Sequence, residues 1–167
     1  MIKYYKASSK IIIFCLIFLF GGIGCISLGL TDIPVKELKE KYAPPPSKFI
    51  DIDGLEVHYR DEGKGTNLVL LHGIFDNLHT WQGWVDELDT QYRIIRMDLP
   101  GWSITGPPNF EYNLENNIIF LNKFLKKLGI KKFHLAGNSL GGYLAWNYAL
   151  KYPEQVKKLI LLDPVAY

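Results

Sequence analysis

The chain has 167 residues, 48% of them apolar and 22% charged, with a net charge of +2. This is the length of one ordinary domain and a globular composition, which excludes a disordered chain. So small a net charge also gives no electrostatic reason to expect a nucleic-acid partner. The two cysteines, Cys15 and Cys25, both lie near the N-terminus, so no disulfide framework holds the remainder together.

In chain order, Lys3, Lys6 and Lys10 precede an apolar run from Ile11 to Leu30. A basic region followed by an apolar one is the pattern of a secretory signal. The run is also long enough to span a bilayer as a helix. In either case the lysines stay on the cytoplasmic side and the rest is delivered across the membrane. Gly22-Ile23-Gly24-Cys25 is similar to a bacterial lipoprotein cleavage box, with Cys25 the lipidated residue, although Gly22 stands where leucine is usual. Three fates fit the segment: an uncleaved anchor, a lipoprotein, or ordinary cleavage. Each predicts a domain held or released outside the cytoplasm, in the periplasmic or extracellular space.

Residues 31–48 read as a linker, with a charged stretch at Val35–Glu40 that predicts a turn or two of helix. Pro44-Pro45-Pro46 then predicts extended chain. The globular domain is expected over 49–167. Phe49–Ile52 and Leu55–Arg60 flank Asp53-Gly54, a hairpin signal. Asn67–Leu71 is an apolar run typical of a strand buried on both faces. Thr80–Leu88 has helical spacing, and Tyr92–Met97 is a further strand. Asn113–Leu128 is an amphipathic helix with Gly129 at its C-terminal end. Phe133–Ala136 is a strand, Ser139–Tyr152 a helix stopped by Pro153, and Leu159–Leu162 a last strand. After the hairpin, strands and helices alternate, which predicts an α/β fold: a mostly parallel sheet with helices on both faces. Ligands of such sheets bind beyond the carboxyl ends of the strands.

The chemistry-bearing residues fall at those ends. Gly137-Asn138-Ser139-Leu140-Gly141 joins a buried strand directly to a helix. A turn this tight leaves no room for side chains at 137 and 141, and it presents Ser139 at a helix N-terminus. The plainer alternative is that Ser139 merely caps the helix.

Three more stretches complete a resemblance to the α/β-hydrolase superfamily, serine-nucleophile branch, over residues 49–167. Leu70-Leu71-His72-Gly73-Ile74 resembles its loop after the third strand, and Asp98-Leu99-Pro100-Gly101 its turn after the fourth. Leu161-Leu162-Asp163-Pro164 resembles its sixth strand. Trp102-Ser103 departs from the pattern, since many relatives carry a second glycine there. The resemblance implies a serine hydrolase acting on an ester or related acyl bond of a small-molecule or lipid-like substrate. Ser139 is then the nucleophile. The backbone N–H groups of Leu140 and Ile74 form the oxyanion hole. Gly137 and Gly141 shape the elbow, and His72 and Gly73 shape the oxyanion loop. Asp163 has a lesser claim as triad acid, against a structural role. His58 reads as a surface or packing residue, His79 as packing near the site mouth, and His134 as a satisfied core histidine. No metal-ligand cluster or phosphate loop is seen, so no metal or cofactor is expected.

The family's order is Ser, acid, His, with a lid after the sixth strand. The sequence ends at Tyr167, shortly after that strand, with no histidine downstream of Ser139. The intact motifs favour the N-terminal half of a longer hydrolase. The alternatives are a non-catalytic pseudoenzyme or binding module, a truncated remnant or, among enzymes, a carbon–carbon bond hydrolase or a cofactor-free peroxidase-like relative.

Overall fold

The computed structural model describes residues 33–165. The apolar run and Cys25 lie outside the described residues. Within them, no helix is long and apolar enough to cross a membrane. The residues from Leu38 onward cluster as one compact unit.

The first element of the described residues is helix α1 (Val35–Tyr42). The Pro44–Pro46 segment, expected to be extended, closes into a turn instead. There the Ser47 N–H donates to the Pro44 carbonyl at 3.1 Å. Strands β1 (Lys48–Ile52) and β2 (Leu55–Gly63) form the expected hairpin. Asp53 and Gly54 both take positive φ, 53° and 85°, which a two-residue hairpin turn demands.

Then come β3 (Thr66–Leu71), a 3-10 turn (Leu78–Trp81), α2 (Gln82–Leu88), β4 (Tyr92–Met97) and a second 3-10 turn (Ser103–Thr105). Helix α3 (Leu114–Lys127), β5 (Phe133–Asn138), α4 (Leu140–Lys151) and β6 (Val156–Leu162) complete the order. The six strands form one sheet in the order β1-β2-β4-β3-β5-β6. The hairpin is antiparallel, as is β2 against β4, while β3, β4, β5 and β6 run parallel.

Strand alternation sorts the core into two layers. Val69, Leu71, Ile95, Met97 and Leu135 pack with Phe120, Phe124 and Leu125 of α3 and with Leu144 and Tyr148 of α4. Leu68, Leu70, Ile94 and Ala136 face the other way, onto Trp81 and Val85. Helices therefore cover both faces. The exits of β3, β4, β5 and β6 share one end of the sheet, and the motifs lie there.

One histidine differs from expectation and another takes one of its two expected roles. His134 is half-buried, not a satisfied core residue. Its Nδ1 has no partner among the described residues, and its ring meets Tyr92 edge-on. Burial and the nearby Lys158 and Lys157 lower its pKa. His58, read as a surface or packing residue, is fully buried: its ring stacks on Phe49 and its Nδ1 lies 2.8 Å from Asp98 Oδ2. It sits on the β2 face that closes against the exit of β4.

Candidate active site

Ser139 lies between the last residue of β5 and the first of α4 with φ 50° and ψ −113°. That conformation costs a non-glycine residue roughly 1–3 kcal/mol and persists only where its surroundings enforce it. Backbone bonds enforce it here. The Ser139 N–H donates to the Leu162 carbonyl at 3.0 Å. Its own carbonyl accepts from the N–H groups of Tyr143 (2.9 Å) and Val165 (3.2 Å). Ser139 occupies the N-cap position, yet its hydroxyl makes no capping bond, so the plainer reading fails on geometry.

The glycines are explained by what a methyl group would meet. A Cβ on Gly137 would lie 2.2 Å from the Gly141 carbonyl oxygen. One on Gly141 would lie 2.2 Å from the Leu71 carbonyl oxygen. The constraint on 141 is thus the approach of α4 to β3, not a clash with residue 137. Gly142, not singled out from the sequence, is also tight, with Pro164 2.9 Å from its would-be Cβ. The doubled glycine at the start of the helix was the available signal.

The loop after β3 reaches the elbow. A Cβ on Gly73 would sit 3.2 Å from the Ser139 Cβ and 3.0 Å from Asn138 Oδ1. Ile74 is exposed, and Phe75 is almost fully so at φ 58°, its ring edge-on to Trp102. Leu140 opens α4, and its side chain joins Leu99, Tyr112, Asn117 and Tyr143 in lining a largely apolar pocket of about 280 Å³. Asp163 is exposed at the exit of β6 with φ 41°.

His72 is buried beneath this loop. Its Nδ1 donates to the Gly73 carbonyl (2.7 Å) and its Nε2 accepts the Leu99 N–H (2.9 Å). A backbone N–H can only donate, so Nε2 carries the lone pair and the ring is neutral. Burial lowers its pKa, outweighing the Gly73 carbonyl and the charges of Asp98 and Asp76. With both nitrogens engaged, His72 has no hand free for the serine. His58 is held by Asp98, and His79 bonds the Tyr42 carbonyl. Among the described residues, no histidine ring bonds the Ser139 hydroxyl and no cluster of three or more His, Cys, Asp or Glu could hold a metal ion.

Asp98 is the residue whose importance the sequence did not reveal. Burial alone would raise its carboxyl pKa. Hydrogen bonds from His58, the Leu78 N–H and Ser103, with the charge of His58, hold it below its usual range.

Comparison with known proteins gives a consistent picture. The family described as alpha/beta hydrolase fold matches residues 66–167. A 2-hydroxy-6-oxononadienedioate/2-hydroxy-6-oxononatrienedioate hydrolase of Paraburkholderia phymatum is 38% identical over 131 residues, covering 70% of this chain and 44% of that protein. The dihydrolipoyllysine-residue acetyltransferase component of an acetoin cleaving system from Cupriavidus necator is 31% identical over 137 residues, covering 81% and 37%. Among solved structures, a membrane phospholipase A, named a bacterial virulence factor, superposes with a TM-score of 0.70 at 26% identity, covering 95% of this chain and 53% of that one. The chain thus spans about two fifths of the length of the curated relatives it matches.

Proposed function

Because the chain belongs to the α/β hydrolase fold family, we propose that it is the nucleophile-bearing part of a serine hydrolase that cleaves an ester or related acyl bond through an acyl-enzyme on Ser139. The observation that carries this reading is the strained Ser139, held at φ 50° with a hydroxyl that makes no capping bond and with Gly73 against it. In this reading the hydroxyl oxygen attacks the substrate carbonyl carbon. The N–H groups of Leu140 and Ile74 receive the developing oxyanion, and removing one such donor typically costs about 10²–10³ in rate. Taking the serine proton requires a base, since a neutral hydroxyl is a poor nucleophile. Among the described residues no histidine ring bonds the Ser139 hydroxyl, so this reading requires a base that they do not supply. The pocket beside Leu140 suits an apolar acyl group, in keeping with a lipid-like ester.

The N-terminal run would carry the domain on the outer side of the membrane. The likeness to a membrane phospholipase A, which extends over 95% of this chain, supports that attachment.

A second reading is favoured by the 38% identity to a 2-hydroxy-6-oxo-dienedioate hydrolase. There the same serine and oxyanion donors would serve carbon–carbon bond hydrolysis. Steady-state assays of the full-length protein, with nitrophenyl esters of graded chain length and with a 2-hydroxy-6-oxo-dienoate, separate the two. Ester turnover abolished by Ser139→Ala supports the first reading. Turnover confined to the dienoate transfers the proposal to the second, and turnover that survives Ser139→Ala overturns both.

A further inference from the structure

The oxyanion loop, residues 73–77, is gripped at both ends by the exit of one neighbouring strand, β4. At its start, the Leu99 N–H holds His72, and His72 Nδ1 holds the Gly73 carbonyl. The peptide joining Gly73 to Ile74 is planar, and in a trans peptide the C=O and N–H point in opposite directions. Fixing that carbonyl on His72 therefore aims the Ile74 N–H away from His72. At the loop's end, the Leu78 peptide groups are held in turn. The Leu78 N–H donates to Asp98 Oδ1 at 2.8 Å, and the Leu78 carbonyl accepts from Arg96 at 3.3 Å. Leu78, Arg96 and Asp98 are all fully buried.

Asp98 is itself clamped. Its Oδ2 bonds His58 Nδ1 at 2.8 Å and receives the Ile104 N–H at 3.4 Å. Its N–H donates to the His58 carbonyl, and its carbonyl accepts from Thr105 Oγ1. Both carboxylate oxygens are thus committed as acceptors, which a carboxylate can do and an amide cannot.

We propose that Asp98, braced by His58, is a positioning residue for the oxyanion hole: it fixes the far end of the loop whose near end presents the Ile74 N–H. The proposal rests on the reading of Ser139 and Ile74 above. Asp98 touches no reacting atom. It acts by keeping the donor peptide from drifting, and a displacement of about 1 Å at a catalytic group can cost roughly 10²-fold in rate.

The test uses the full-length protein and Asp98→Asn. Its readouts are kcat and KM on an ester, and the rate at which a fluorophosphonate labels Ser139. The expected result is a fall in kcat and labelling rate of about 10–100-fold, with KM within about twofold. Tyr148→Phe, which removes buried bonds to Asn122 and Gln155 away from the elbow, controls for stability alone and should leave kcat unchanged. Should Asp98→Asn not fold, the His58 pair decides. His58→Leu, which removes the donor to Asp98, should lower kcat, and His58→Asn, which keeps an N–H near the Nδ1 position, should restore most of it. Unchanged kcat in Asp98→Asn or in folded His58→Leu overturns the proposal. So does a loss that merely tracks the unfolded fraction. If the wild-type protein is not labelled at Ser139, the parent reading fails and this one with it. Equal labelling of wild type and variant sinks only this one.

Discussion

Residues 137 and 141 have no room for even a methyl group, because the atoms in the way are backbone carbonyls that cannot swing aside. Gly137→Ala or Gly141→Ala should therefore destabilise by about 3 kcal/mol or more and slow labelling of Ser139. Chemical denaturation and probe kinetics measure the two effects. His72 gives a pH prediction. Burial depresses its pKa in the folded state below the ordinary value of 6.5, so the unfolded chain binds more protons as the pH falls through that value. Stability should rise with pH across this window and be lost on acidification from about pH 7 to about pH 5. His72→Gln should flatten part of that slope in denaturant titrations, and an unaltered slope would contradict the assignment. The glycines were legible in the sequence because a close backbone approach is recorded in residue type at fixed spacing. The His58–Asp98 pair was not, since the partners are 40 positions apart and neither residue's neighbours announce the other.

At the scale of elements, most strands and helices were visible as apolar periodicity, and the boundaries moved where pairing across the sheet overrides local character. β2 was expected over Leu55–Arg60. The strand continues to Gly63 because Asp61 bonds Arg93 of β4 through two contacts of 2.7 and 2.8 Å, and Glu62 bonds Arg96. These partners come from a strand far along the chain, and local propensity carries no trace of them. β6 likewise begins at Val156, with Lys157 and Lys158 exposed on it. The 3-10 turn before α2 starts at Leu78, earlier than expected, because Asn77 caps it by accepting the His79 N–H. Helix α3 matched its periodicity closely, with Asn113 as N-cap and Gly129 at positive φ beyond its end. Phe124, toward its C-terminal end, is fully buried. Phe124→Ala should cost about 3–5 kcal/mol, read as a shift of the denaturation midpoint. A loss below about 1 kcal/mol would mean that α3 does not seat on the sheet as described.

For the molecule as a whole, the alternation of strands and helices, the mostly parallel sheet and the placement of the four motifs at strand exits were legible, because α/β alternation restricts the topology; the lateral order β1-β2-β4-β3-β5-β6 was not, since it depends on pairings between distant strands. A base for the proposed Ser139 nucleophile was not legible either, since among the described residues no histidine ring bonds its hydroxyl. Membrane attachment is testable at this scale. The full-length protein should sediment with membranes, and removing residues 1–30 should release it. Sedimentation unaffected by the deletion would contradict the N-terminal attachment. The most direct measurement of the central claim is to treat the full-length protein with a fluorophosphonate and map the modified peptide by mass spectrometry. The account predicts a single adduct on Ser139, lost in Ser139→Ala. A folded wild-type protein that takes no label, or takes it on another residue, would contradict it.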